Sequence, residues 1–173
     1  MTNIGIIIGS TRPGRKGEVV ARWVHDIADF HLPHLDEEIP ASMGRYSKLH
    51  TKAWAEKIAS FDGFVFVTPE YNHSTSGALK NAIDFLYAEW NNKAAGFVSY
   101  GSAGGTRAVE HLRLMMGELQ VADVRAQASL SLYTDFEGFT DFLPAAHQEE
   151  SVNAMLDQLV AWSGALESVR AAA

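Results

Sequence analysis

Ile4-Gly5-Ile6-Ile7-Ile8-Gly9-Ser10-Thr11-Arg12-Pro13-Gly14-Arg15-Lys16-Gly17 is the stretch on which the reading of this chain turns. Ile4 to Ile8 is a short, β-branched, continuously apolar run, the pattern of a strand buried on both faces. Gly9 to Gly14 is turn chemistry. Val19, Val20, Trp23, Val24 and Ile27 then recur at helical spacing. The unit is strand, loop, helix, and the chain repeats it. Phe64 to Val67 is followed by Thr68–Gly77 and a stripe of Leu79, Ile83, Leu86 and Trp90. Ala95 to Val98 is followed by Ser99–Gly105 and a stripe of Val109, Leu112, Met116 and Leu119. Leu49, Ala53, Trp54, Ile58 and Phe61 mark a further helix, Val124 to Leu132 a further strand, and Val152, Met155, Leu159, Trp162 and Leu166 a last helix.

Strands alternating with helices imply βαβ units, hence an α/β fold with a mainly parallel sheet and helices on both faces: a three-layer, doubly wound arrangement. In such a sheet the three loops Gly9–Gly17, Thr68–Gly77 and Ser99–Gly105 fall on one edge, because each follows a strand. Ligands bind there, at the topological switch point.

Composition narrows the function. At 173 residues the chain is read as one domain, 1–173. It has no cysteine, which excludes disulfides, thiolate metal sites and a cysteine nucleophile. A net charge of −7 gives no general attraction to nucleic acid or anionic membranes. There is no basic leader and no apolar stretch approaching the roughly 20 residues of a membrane span. The expectation is a cytoplasmic protein with small-molecule partners.

The loops carry the chemistry. The first opens into a helix, whose N-terminus offers free N–H groups and the positive end of a dipole. Ser10 and Thr11 add hydroxyls, and Arg12, Arg15 and Lys16 cluster three cations in an acidic chain. It fits neither G-x-G-x-x-G nor a Walker A loop, and a phosphate monoester is its natural ligand. The second, Thr68-Pro69-Glu70-Tyr71-Asn72-His73-Ser74, joins backbone donors, an amide and an aromatic face, which is what orienting a planar heterocycle requires. The third, Ser99-Tyr100-Gly101-Ser102-Ala103-Gly104-Gly105, has glycines that allow close approach of a ligand to the backbone. It lacks the first glycine of a serine-hydrolase elbow.

Gly9-Ser10-Thr11-Arg12, Pro69-Glu70-Tyr71-Asn72 with Gly77-Ala78-Leu79-Lys80-Asn81-Ala82-Ile83-Asp84, and Gly101 with Gly104-Gly105 together resemble the NADPH-dependent FMN reductase family, which includes quinone, azo-dye and chromate reductases of flavodoxin-like fold. The likeness runs from about Asn3 to about Gln120. It implies FMN as cofactor and NADPH or NADH as co-substrate. Hydride would pass to the flavin and on to a small acceptor in a ping-pong cycle, with no side chain needed as acid or base. Ser10, Thr11, Arg12 and the Gly17 backbone would hold the phosphate. Pro69, Glu70, Tyr71 and Asn72 would line the isoalloxazine, and Ser99, Gly101 and Gly104 its other side. It also implies a homodimer or homotetramer. A flavodoxin-type electron carrier and a flavin-binding sensor are the competing classes. Flavodoxins sandwich the ring with aromatics, and this chain offers only Tyr71 as an obvious one.

Two features depart from the family pattern. Arg15, Lys16 and Gly17 stand where relatives often carry serine or asparagine. Ile27-Ala28-Asp29-Phe30-His31-Leu32-Pro33 follows the first helix at once, where a second strand is expected, so that strand is cut short or missing. Elsewhere, His31, His34 and Asp36 have metal-like spacing but read as a polar surface loop. His73 is either a shaper of the acceptor pocket or a plain surface histidine. Phe136, Phe139 and Phe142 read either as a tether to the core, the preferred reading, or as a packing surface for a partner subunit.

Overall fold

The computed structural model describes residues 2–24 and 32–172. Four parallel strands, β1 (Ile4–Ile8), β2 (Gly63–Pro69), β3 (Ala94–Gly101) and β4 (Ala122–Ser131), form one sheet in the order β1-β2-β3-β4. Every residue of β2 and β3 is buried, as their unbroken apolar runs require, while β1 and β4 at the edges alternate.

Alternation along each strand sends successive side chains to opposite faces. Val65, Val67 and Val98 pack with Val20 and Ala21 of α1 (Gly17–Val24) and with Met155 and Leu159 of α5 (His147–Ala172). Phe64, Phe66 and Phe97 face the other way. They pack with Trp54 and Ile58 of α2 (Leu49–Ala59), Leu79 and Ile83 of α3 (Gly77–Asp84), and Val109 and Leu112 of α4 (Thr106–Glu118). The sheet is therefore covered on both faces. Because α1 and α3 lie on opposite faces, the crevice between β1 and β2 is the switch point.

Three expectations are refined. The stripe Leu79, Ile83, Leu86, Trp90 predicts a helix to Trp90, but α3 ends at Asp84. The indoles of Trp54 and Trp90 take the α3 carbonyls of Ala82 and Ile83 at 2.9 and 3.2 Å, and Leu86 and Trp90 are buried from turns instead. Among the described residues no strand lies outside β1; of Ile27 to Pro33, where a second strand is expected, residues 27–31 fall outside them. Beyond it the chain lies against α3, with Asn81 donating to the Pro33 carbonyl at 2.7 Å and accepting from the Leu35 N–H at 2.8 Å. Asp36 meets His50 at 2.9 Å. Of the three phenylalanines, Phe136 is buried and Phe142 packs on Trp23 with ring centroids 5.4 Å apart, so these two form the tether. Phe139 points outward at the turn between β5 (Phe136–Glu137) and β6 (Asp141–Phe142), beside Tyr133.

Candidate active site

The loops after β1, β2 and β3 meet over the carboxyl ends of these strands and enclose a cleft of about 500 Å³. That is within the roughly 300–1,000 Å³ usual for small-molecule sites.

The first loop leaves β1 with the Gly9 N–H still donating to the Val67 carbonyl at 2.8 Å. Ser10 is buried against the start of α1. Gly17 opens that helix in a gap too small for a side chain: a Cβ there would lie 2.9 Å from Ser10 Cβ and 3.0 Å from the Tyr100 hydroxyl. Arg12, Arg15 and Lys16 line this end of the cleft, and the N-terminal N–H groups of α1 belong to the same end.

In the second loop, Tyr71 and Ser74 exchange backbone hydrogen bonds of 2.9 and 3.1 Å around Asn72 and His73, whose φ values are 48° and 71°. Two successive left-handed residues make a tight turn of the I′ kind, a conformation asparagine tolerates better than histidine. The turn is tied down by a Thr68–Thr75 hydroxyl bond of 2.8 Å and by His111, whose Nδ1 lies 2.8 Å from Ser74 Oγ. In the third loop Gly104 and Gly105 are both left-handed. A Cβ on Gly105 would come within 2.7 Å of Ser99 Cβ, and the Ser99 hydroxyl donates to the Gly104 carbonyl at 2.7 Å.

Of the residues singled out from the sequence, Ser10, Arg12, Pro69, Glu70, Tyr71, Asn72 and Gly101 line the cleft together. Ser99, Gly104 and Gly17 stand behind the lining and shape the loops, and Thr11 faces solvent. The Glu70 carboxylate is spent on α4: it pairs with the Arg107 guanidinium and accepts the Arg107 N–H at 3.2 Å. Glu70 thus offers the cleft its backbone. The Arg12 guanidinium lies over the Tyr71 ring, 4.5 Å from its centre.

Tyr100 and Leu132 also line the cleft, and sequence reasoning gave them no role. Tyr100 had a signal, an aromatic at a strand end inside a glycine loop. Its hydroxyl is buried below the first loop without a hydrogen bond of good geometry. Burial drives its pKa up to about 12, against a partial opposing pull from the neighbouring Ser10 hydroxyl and Gly17 N–H. It is a neutral donor throughout the ordinary pH range. A cleft that brings together cations, a helix N-terminus and a spare buried hydroxyl with an aromatic ring and backbone amides matches a molecule with a phosphate and a planar ring.

The NADPH-dependent FMN reductase family profile matches residues 2–135. The chain belongs to that family. The NAD(P)H-dependent FMN reductase ntnL of Nectria sp is 40% identical over 159 residues, covering 78% of this chain and 79% of its own. That aligned length exceeds the share of this chain it covers, so the relative carries residues within the match that this chain lacks. The quinone reductase of Escherichia coli K12 is 35% identical over 127 residues, covering 64% of this chain and 66% of its own. Among solved structures, the flavoenzyme NAD(P)H:(acceptor) oxidoreductase FerB from Paracoccus denitrificans superposes with a TM-score of 0.66 at 18% identity, over 97% of this chain and 98% of that one. That likeness places the FMN reductase-family chain in the flavodoxin-like fold. No helix among its described residues is long and apolar enough to cross a membrane.

Proposed function

We propose that this FMN reductase-family chain, acting as a single domain over 1–173, holds FMN in the cleft and passes electrons from NAD(P)H to a small acceptor of the quinone type. The observation that carries the reading is that one cleft is lined both by Arg12, Arg15 and Lys16 beside the start of α1 and by Tyr71 and the backbone of the second loop. Ser10, Arg12 and the first-turn backbone from Gly17 would take the phosphate, with Arg15 and Lys16 adding charge and Thr11 at the outer rim. Pro69, Glu70, Tyr71, Asn72 and Gly101 would border the ring, and Ser99 and Gly104 would set the third loop at its distance.

Bound there, FMN would supply the chemistry of hydride transfer between NAD(P)H and the acceptor. The protein's own part is position and field. The rigid Tyr71–Ser74 turn holds the Asn72 amide at the cleft edge. The Glu70–Arg107 pair removes a carboxylate from the lining, so negative charge on the ligand meets cations instead. The net charge of −7 favours small-molecule partners over nucleic acid or membrane, and the setting we infer is the cytoplasm, with the chain working as a homodimer or homotetramer.

An absorbance spectrum of the purified protein, followed by anaerobic NADPH and then a quinone, tests this. The expected result is a flavin spectrum bleached by NADPH and restored by the quinone. Yellow protein that NADPH does not bleach would favour an electron carrier or sensor. Protein that neither contains nor takes up FMN would refute the reading.

A further inference from the structure

Ser76 is buried at the N-cap of α3, and its hydroxyl oxygen accepts the Leu79 N–H at 3.1 Å. Capping explains that half of its bonding. The other half reaches 67 positions along the chain: the same hydroxyl donates to the Gly9 carbonyl, at the end of β1. The Gly9 N–H is already held by the Val67 carbonyl. Gly9 is therefore fixed from both sides, and the α3 side is close-packed, since a Cβ on Gly9 would lie 2.9 Å from Leu79 Cδ2.

The consequence falls on the next amide. All described peptide bonds are trans, so the Ser10 N–H points opposite to the Gly9 C=O. The carbonyl is drawn toward α3 on one face of the sheet, which turns the Ser10 N–H toward α1 on the other. There Gly17 packs on Ser10, and the cations line the cleft. Glycine at position 9 has the freedom to rotate this peptide, and the opposite orientation would present a carbonyl oxygen to an anion.

We propose that Ser76 is a positioning residue for the phosphate end of the cleft, holding the Gly9–Ser10 peptide so that the Ser10 N–H faces the anion. This rests on the reading that FMN binds with its phosphate on the first loop. The test is titration of the flavin-free protein with FMN and with riboflavin, which lacks the phosphate, for wild type, Ser76→Ala, Ser76→Gly and Ser76→Thr. Glycine is nearly as good an N-cap as serine, so Ser76→Gly removes the hydroxyl at little cost to α3. The expected result is FMN binding weakened about tenfold in the Ala and Gly variants, the size of one hydrogen bond to a charged group. Riboflavin binding should be unchanged, and Ser76→Thr should restore FMN affinity. Equal weakening of both flavins would show a merely structural role and overturn the proposal, as would unchanged FMN affinity in both hydroxyl-free variants. Wild-type protein that binds riboflavin as tightly as FMN would overturn the phosphate assignment itself, and this inference with it.

Discussion

Replacing Tyr100 by Phe should move stability and cofactor affinity in opposite directions. The hydroxyl is buried under the first loop without a well-formed partner, and a buried polar group left so costs about 1–3 kcal/mol. The flavin-free Tyr100→Phe protein should therefore be more stable by up to roughly that amount, which for a domain of this size is a rise in Tm of about 2–4 °C per kcal/mol. With FMN bound, the same hydroxyl would lie within the phosphate cradle formed by Ser10 and Gly17. A hydrogen bond to a charged group is worth about 1.5–3 kcal/mol, so the variant should bind FMN about 10–150-fold more weakly. The pKa near 12 keeps the hydroxyl a donor, so the loss should be the same from pH 6 to 9. Thermal melts of the flavin-free protein and fluorescence titration with FMN and riboflavin measure both effects. A Tyr100→Phe protein that melts lower and binds FMN as tightly as wild type would refute the reasoning, because it would mean the hydroxyl is already satisfied by Ser10 and Gly17.

Arg12→Ala should weaken FMN binding by tenfold or more while changing the Tm by only a degree or two, since Arg12 is exposed and rests on the Tyr71 ring; equal FMN affinity in a titration would contradict its phosphate role. Lys93 is buried and donates to the Ile58 and Ala59 carbonyls at the end of α2, and burial, aided by Arg170, lowers its pKa to about 8. A lysine with a lowered folded pKa favours unfolding while protonated, so stability from this group should rise between pH 8 and 10.5, by up to about 3 kcal/mol, and denaturant melts of Lys93→Met should lose that slope. Glu37 accepts hydrogen bonds from the Ser47 and Lys48 N–H groups and the Ser47 hydroxyl. Partial desolvation pushes its pKa up, but these bonds outweigh it and bring the value down to about 2. Its contribution should be complete above pH 4.5 and lost as pH falls toward 2, and Glu37→Gln should flatten acid melts over that window.

The parallel sheet was legible because Phe64–Val67 and Ala95–Val98 have no polar alternation to mislead, and β2 and β3 are indeed buried throughout. The convergence of the three loops followed from topology alone. Bonds between distant parts of the chain were not legible. Nothing in the spacing of Glu70 says that its carboxylate turns to Arg107 on α4, or that Ser76 reaches back to Gly9. The end of α3 was misread for the same reason. Leu86 and Trp90 keep helical spacing and are buried, yet the Ala82 and Ile83 carbonyls at the end of α3 accept the indoles of Trp54, on α2, and of Trp90 itself. Phe139 shows the limit of composition: three phenylalanines in a short connection do not say which one the turn will point outward.

The cleft does not depend on what lies beyond β1. The aligned Nectria relative carries residues that this chain lacks, and among the described residues nothing pairs with the outer side of β1. An edge strand beyond β1 would extend the sheet but supply none of the three loops, which follow β1, β2 and β3. The crevice depends only on β1 and β2 being neighbours with α1 and α3 on opposite faces. That relation is held by the register from Ile4↔Gly63 to Ile8↔Val67, by the Gly9 bond to Val67, and by Ser76 bridging α3 to Gly9. A change beyond β1 should therefore fall on stability at the β1 edge, where Ile4, Ile6 and Ile8 are only half-buried, before it falls on the cleft.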